Sequence, residues 1–212
     1  MLFRSGGFHV GREAVRQVLW AADRASVEAP DGPRHAALAA STLRARILRH
    51  FGIDDVFDLL AVVHEPDPLP GAESEEAGAG AGAAAKEGAA YLLMAREKRL
   101  SSLAPLVFTA AFEDKDPLAL EVLRATTSML VDQMCVLLRP EADEDGKEYP
   151  ARTVKASETI LCFGGSLVGI EAYRNMILEE LERRGHKMKR WTYVDDVSGV
   201  GAKALALAAK SQ

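Results

Sequence analysis

Thr159-Ile160-Leu161-Cys162-Phe163-Gly164-Gly165-Ser166-Leu167-Val168-Gly169 is the stretch on which the reading of the fold turns. Residues 159–163 are apolar at both alternating positions and end at a glycine pair, the pattern of a strand covered on both faces. A helix follows from Ile170 to Arg184; Gly185 stops it, and Arg183 and Arg184 sit near its negative C-terminal end. A second strand is expected over Arg190 to Val194, then Asp195-Asp196 with a glycine-containing turn, then an Ala-rich helix over Ala202 to Lys210. This strand-helix-strand-helix unit makes the fold class α/β.

The same stretch holds the one junction with a physical reason to bind a ligand. Glycines between a strand and a helix let a bulky group approach the backbone, and free amides at the helix start, with the Ser166 hydroxyl, can bond polar groups of a nucleotide. Gly164, Gly165, Ser166, Gly169 and Ile170 are the candidate binding residues. The run is neither the G-x-G-x-x-G dinucleotide pattern nor the G-x-x-x-x-G-K-[ST] phosphate loop, and a Gly-Gly pair after a strand also serves as a plain tight turn.

Towards the N-terminus the chain is helical. Val15, Val18, Leu19 and Ala22 repeat at helical spacing between Gly11 and about Ala25, leaving Arg12, Glu13, Arg16 and Asp23 for solvent. Pro30-Asp31-Gly32-Pro33 breaks the chain; Leu43, Ile47 and Phe51 form a second stripe that Gly52 stops, with Arg44, Arg46 and Arg49 on a solvated face. Asp54 or Asp55 can cap the short apolar segment Val56 to Val63 before Pro66, Pro68 and Pro70. Of residues 71–90, 14 are Ala or Gly, so a flexible inserted loop is expected over about 66–90.

Beyond it, Leu92, Leu93, Leu100, Leu103, Leu106, Val107 and Phe108 offer a broad apolar face, with Pro105 at a kink or a handover between helices. Asp116-Pro117 reads as an N-cap and first turn, opening a helix to about Leu138 with Leu123, Met134 and Leu137 buried. A polar stretch from Arg139 to Lys155 leads back to the first strand.

A net charge of -5 gives no general attraction to nucleic acid or anionic lipid, and no apolar run is long enough to span a bilayer. Cys135 and Cys162 each lie in an apolar run and read as buried, reduced thiols, which fits a cytoplasmic setting. The five histidines share no ligand spacing, no serine lies in a G-x-S-x-G context, and Asp195-Asp196 reads as a solvated, capping pair. Leu2-Phe3-Arg4-Ser5 matches what the end of a common sequencing adapter encodes, which implies further protein upstream.

Gly7-Phe8-His9-Val10-Gly11-Arg12-Glu13-Ala14, then Ala104-Pro105-Leu106-Val107-Phe108 ahead of Asp116-Pro117-Leu118-Ala119, then Leu161-Cys162-Phe163-Gly164-Gly165-Ser166 resemble the C-terminal half of N-acetylglucosamine kinases. The order is collinear across nearly the whole chain, and Val154 to Gly185 looks most like the fungal members. These kinases form part of the BadF/BadG-type ATPase family, in the superfamily of actin and the hexokinases.

The resemblance implies a C-terminal ribonuclease-H-like lobe of a two-lobed enzyme that closes around ATP, magnesium and an amino sugar. It implies that Gly164, Gly165 and Ser166 form the adenosine-binding turn, that Gly169 and Ile170 open the helix beside it, and that the Ala104 to Phe112 helix helps form the other wall of the adenine pocket. The family's Asp-x-Gly-Gly-Thr phosphate loop and its catalytic aspartate belong to the N-terminal lobe and have no counterpart in these residues; where the family carries Asp-Glu-Gly-Ser, this chain reads Phe3-Arg4-Ser5-Gly6. The missing lobe is therefore an implied partner, and an exposed inter-lobe face makes a homodimer an expectation as well. Two other readings stand beside this one: a stand-alone, non-catalytic module binding a nucleotide or a protein, and an activator ATPase of a radical dehydratase, which needs cysteines placed to share an iron-sulfur cluster.

Overall fold

A computed structural model of the chain describes residues 6–68, 91–142 and 148–210. The insertion expected at about 66–90 lies, from residue 69 onward, outside the described residues, as do Leu2 to Ser5. The architecture is mixed α/β and helix-rich, and the chain divides into two compact units, Met1–Thr126 and Thr127–Gln212.

In the first unit the described residues form helices α1 (Gly7–Ser26), α2 (Pro33–Ala40), α3 (Thr42–Phe51), α4 (Asp58–His64), α5 (Arg96–Ser101) and α6 (Ala104–Phe112). Helix α7 (Pro117–Cys135) begins in this unit. Helix α1 starts earlier than the periodicity from Gly11 indicates, and its buried stripe includes Val10, Ala14, Val15, Val18 and Ala22. Gly11 lets it lie against α5: a Cβ there would stand 1.7 Å from the Leu100 carbonyl oxygen, an impossible approach. Only a residue without a side chain permits this crossing.

Glu13, expected in solvent, is buried. Its carboxylate accepts from Arg16 Nε at 2.8 Å and Gln17 Nε2 at 2.9 Å, so partners one helical turn on compensate its desolvation. Helix α2 also departs from expectation. Pro33 does not merely break the chain; it occupies the first turn of α2, where a missing N–H costs nothing.

Helix α3 has the expected stripe of Leu43, Ile47 and Phe51, and Gly52 ends it in the left-handed region at φ 64°. Asp55 accepts from the Phe57 N–H at 2.9 Å just ahead of α4. Pro105 stands in the first turn of α6, so it marks a handover between helices. Leu92 and Leu93 are exposed, which removes them from the apolar face assigned above.

In the second unit, β1 (Leu138–Arg139) and β2 (Val154–Lys155) form a short parallel pair at the two ends of the stretch read as polar connection, with Leu138 in a strand rather than at the end of the preceding helix. Then come β3 (Ile160–Gly164), α8 (Ser166–Gly169), α9 (Glu171–Arg183), β4 (Arg190–Val194) and α10 (Val197–Lys210). β3 pairs with β4 in parallel, with Ile160 opposite Arg190 and Gly164 opposite Val194. Both strands and the helix between them stand within a residue or two of the boundaries read from sequence.

The burial of this unit corrects three expectations. β3 is not covered on both faces: Phe163 is buried, but Ile160 and Cys162 are exposed. Cys135 is half-buried rather than buried. α7 ends at Cys135, Met134 is half-buried and Leu137 is exposed. An apolar run does not itself fix burial, which depends on what packs against it. Among the described residues, no helix is long and apolar enough to cross a membrane.

Candidate functional site

Parallel strands β3 and β4 end side by side, and each runs directly into a turn. After β3 the chain passes through Gly164-Gly165 into the single-turn helix α8; after β4 it passes through Asp195-Asp196 into α10. In parallel α/β units this carboxyl edge is where loops gather and ligands are held. Gly164, Gly165, Ser166, Gly169 and Ile170 therefore lie together on one continuous turn, as the sequence reading places them.

The three glycines do different work. At Gly165 φ is 107°, a region closed to ordinary side chains, and a Cβ there would meet nothing within 4 Å. The residue is glycine for its backbone, and the space over it is open. At Gly164 a Cβ would come 2.7 Å from Cγ2 of Val197, so its bareness lets α10 close on the strand end. At Gly169 a Cβ would come 2.8 Å from the Tyr193 hydroxyl.

Gly165 is the N-cap of α8 and brings no side chain to cap its first-turn amides; Ser166 is exposed beside it. Ile170, extended at φ -74° and ψ 111°, serves both as C-cap of α8 and as N-cap of α9. Two helices in quick succession thus share one extended hinge residue.

Sequence reasoning missed the side chain that holds this turn from behind. Arg174, on α9 and buried, donates from one Nη to the Val168 carbonyl at 2.7 Å and to the Gly169 carbonyl at 3.3 Å. Its guanidinium carbon stands 5.2 Å from the ring centres of both Trp191 and Tyr193 on β4. Tyr193 in turn donates its hydroxyl to Asp195 at 2.9 Å; that bond, with a smaller contribution from burial, raises the phenol above its ordinary pKa. Arg174 and Tyr193 thus join the turn after β3 to the turn after β4. Nothing local in the sequence signals this, because an arginine on an amphipathic helix reads by default as solvated.

Asp196 accepts from the Gly199 N–H at 2.7 Å, a capping bond at the start of α10, as the capping reading expects. Among the described residues no three His, Cys, Asp or Glu side chains converge as a metal site would require. Cys162, read from the sequence as a buried thiol, is exposed, and Cys135 is half-buried. Three grooves among the described residues lie in the first unit: one of ≈ 370 Å³ beside Trp20, Leu38 and Pro117, one of ≈ 690 Å³ beside Phe8, Leu60 and Leu100, and one of ≈ 420 Å³ beside Ala22, Arg44 and Phe57. The Ala104–Phe112 helix belongs to the first unit and the glycine turn to the second.

In comparison with known proteins, no family model, no curated protein and no solved structure matches the chain.

Proposed function

We propose that this chain supplies the adenosine-binding side of an ATP-dependent sugar kinase, one that transfers the γ-phosphate of ATP to N-acetylglucosamine at its 6-hydroxyl. The observation that carries the reading is the paired carboxyl edge of β3 and β4: two adjacent parallel strands end in exposed turns, one built on Gly165 at φ 107° with open space above it. The resemblance of Gly164-Gly165-Ser166 to the adenosine turn of these kinases adds the ligand class.

The turn suits an adenosine moiety. Its bare backbone admits the flat face of a base or sugar, and the Ser166 hydroxyl and uncapped amides offer hydrogen bonds. It lacks what a triphosphate asks for, since no lysine or arginine stands within residues 164–170. In this reading residues 164–170 would not hold magnesium themselves; the ion would come with the nucleotide and supply charge neutralisation during transfer. The chain's own residues bind and orient the nucleoside; the base that takes the proton from the sugar hydroxyl belongs to the complementary lobe.

The test is an amide NMR titration of the purified chain with ADP, beside a coupled assay with ATP, magnesium and N-acetylglucosamine. Shifts confined to residues 164–170 and their β4 neighbours, with no turnover, are the expected result. Turnover by the chain alone would overturn the division of labour, and failure of millimolar ADP to move any of these amides would overturn the nucleotide assignment.

A further inference from the structure

We infer that Arg174 is a positioning residue for the nucleotide: by holding the carbonyl end of α8 it fixes the direction of the Gly165-Ser166-Leu167 backbone, and so sets nucleotide affinity without touching the ligand. The inference rests on the nucleotide reading above and adds to it the device that keeps the turn in shape.

A single-turn helix is not stable by itself. It satisfies few of its own hydrogen bonds, and here its start has no side-chain cap. What holds it must come from outside, and the described structure shows two such supports. One is the approach of Tyr193 to Gly169, too close for any Cβ to intervene. The other is the pair of Arg174 bonds to the Val168 and Gly169 carbonyls, charge-assisted bonds placed where a helix carries partial negative charge.

Arg174 is itself held tightly. Trp191 and Tyr193 present their rings to its guanidinium, so it has little freedom to leave the two carbonyls. Among the described residues its buried Nε–H meets no hydrogen-bond acceptor, an arrangement that sacrifices one of the side chain's own bonds. Arginine suits the position because its flat guanidinium can face both rings while one Nη still reaches the two oxygens. An ammonium on a flexible stem provides the charge but neither the plane nor the reach.

The experiment uses the full chain, with ADP as probe, in wild type, Arg174→Gln and Arg174→Lys. In Arg174→Gln without ligand, the amide signals of Leu167, Val168 and Gly169 should lose their structured positions while those of α7 and α9 stay. The ADP Kd should rise about tenfold, the loss expected for charge-assisted bonds acting through the turn. Arg174→Lys should fall between the two in both readouts, a partial rescue that general destabilisation would not produce. If Arg174→Gln fails to fold, the comparison of Arg174→Lys with wild type carries the test.

Turn signals and Kd unchanged in either folded variant would overturn the proposal while leaving the nucleotide reading intact. Disturbed turn signals in the variants, with no ADP binding even by wild type, would instead bring down the nucleotide reading and with it the assigned purpose of Arg174.

Discussion

Asp116 shows how much one side chain can organise. Its carboxylate accepts from Ser41 Oγ, the Leu43 N–H and the Leu118 N–H, each at 2.8 Å, from Thr42 Oγ1 at 3.1 Å and from the Ala119 N–H at 3.2 Å. It therefore caps the start of α7 and also braces the start of α3, where Ser41 is the N-cap. Burial pushes its pKa up, but the hydrogen bonds from Leu43, Ser41, Ala119 and Leu118 outweigh this and leave it below its ordinary 3.8. A carboxyl whose folded pKa is depressed contributes stability that is full above its unfolded value and drains away as pH falls through that value to the folded one. Asp116→Asn should cost about 3 kcal/mol at neutral pH, because an amide nitrogen then faces donors it cannot accept from. Urea melts of both proteins at neutral pH and below pH 4 should show the gap narrowing in acid; an equal gap at both would remove Asp116 from the acid response.

At the scale of elements, Arg99 does for a connection what Asp116 does for two helix starts. Its fully buried guanidinium donates to the carbonyls of Pro66 at 2.6 Å, Glu65 at 2.7 Å, Met94 at 2.8 Å and Val62 at 3.2 Å. The end of α4 is thereby tied to the segment that opens α5, and the Asp67 carboxylate accepting from the Arg96 N–H at 2.6 Å adds to the clamp. Arg99→Met should cost about 3 kcal/mol or more by leaving several carbonyls without their donor, and Arg99→Lys should recover only part, since an ammonium cannot fan across four oxygens. Denaturant unfolding measures both; a cost within experimental error for Arg99→Met would mean that the segment is held by something else. Such clamps also mark the limit of what the sequence discloses. Gly52, Gly185 and Asp116-Pro117 were readable because capping is local chemistry, and β3, β4 and the glycine turn because their apolar runs and breakers are contiguous. Arg99, Arg174 and Glu13 were not readable as buried, because the groups that compensate their charge become visible only once helices and strands have packed. Ile160, Cys162 and Leu137 misled for the converse reason: they are apolar in pattern, yet little covers them.

For the whole molecule, the contrast between the two units bears on both stability and function. The first unit buries Val10, Val18, Leu43, Ile47, Leu59 and Leu103 among its helices. In the second, the buried apolar side chains among the described residues are Val131, Ala156, Phe163, Tyr173, Ile177 and Leu181, while Ile160, Trp191, Val200 and Leu205 stay exposed. Hydrophobic stabilisation scales with area removed from water, so the second unit should open at lower free energy than the first. Hydrogen exchange should show residues 160–164 and 190–194 less protected than residues 10–18; equal protection throughout would mean that the chain opens as one cooperative body. The glycine turn sits in the weaker unit, which ties the two questions together. A ligand that binds only the closed form stabilises it by RT ln(1 + [L]/Kd), about 1.4 kcal/mol at ten times Kd. ADP held at that concentration should therefore slow exchange of residues 160–164 and 190–194 by roughly tenfold, provided they exchange through opening of the second unit, while leaving residues 10–18 unchanged. Protection gained evenly across both units would place the nucleotide somewhere other than this turn.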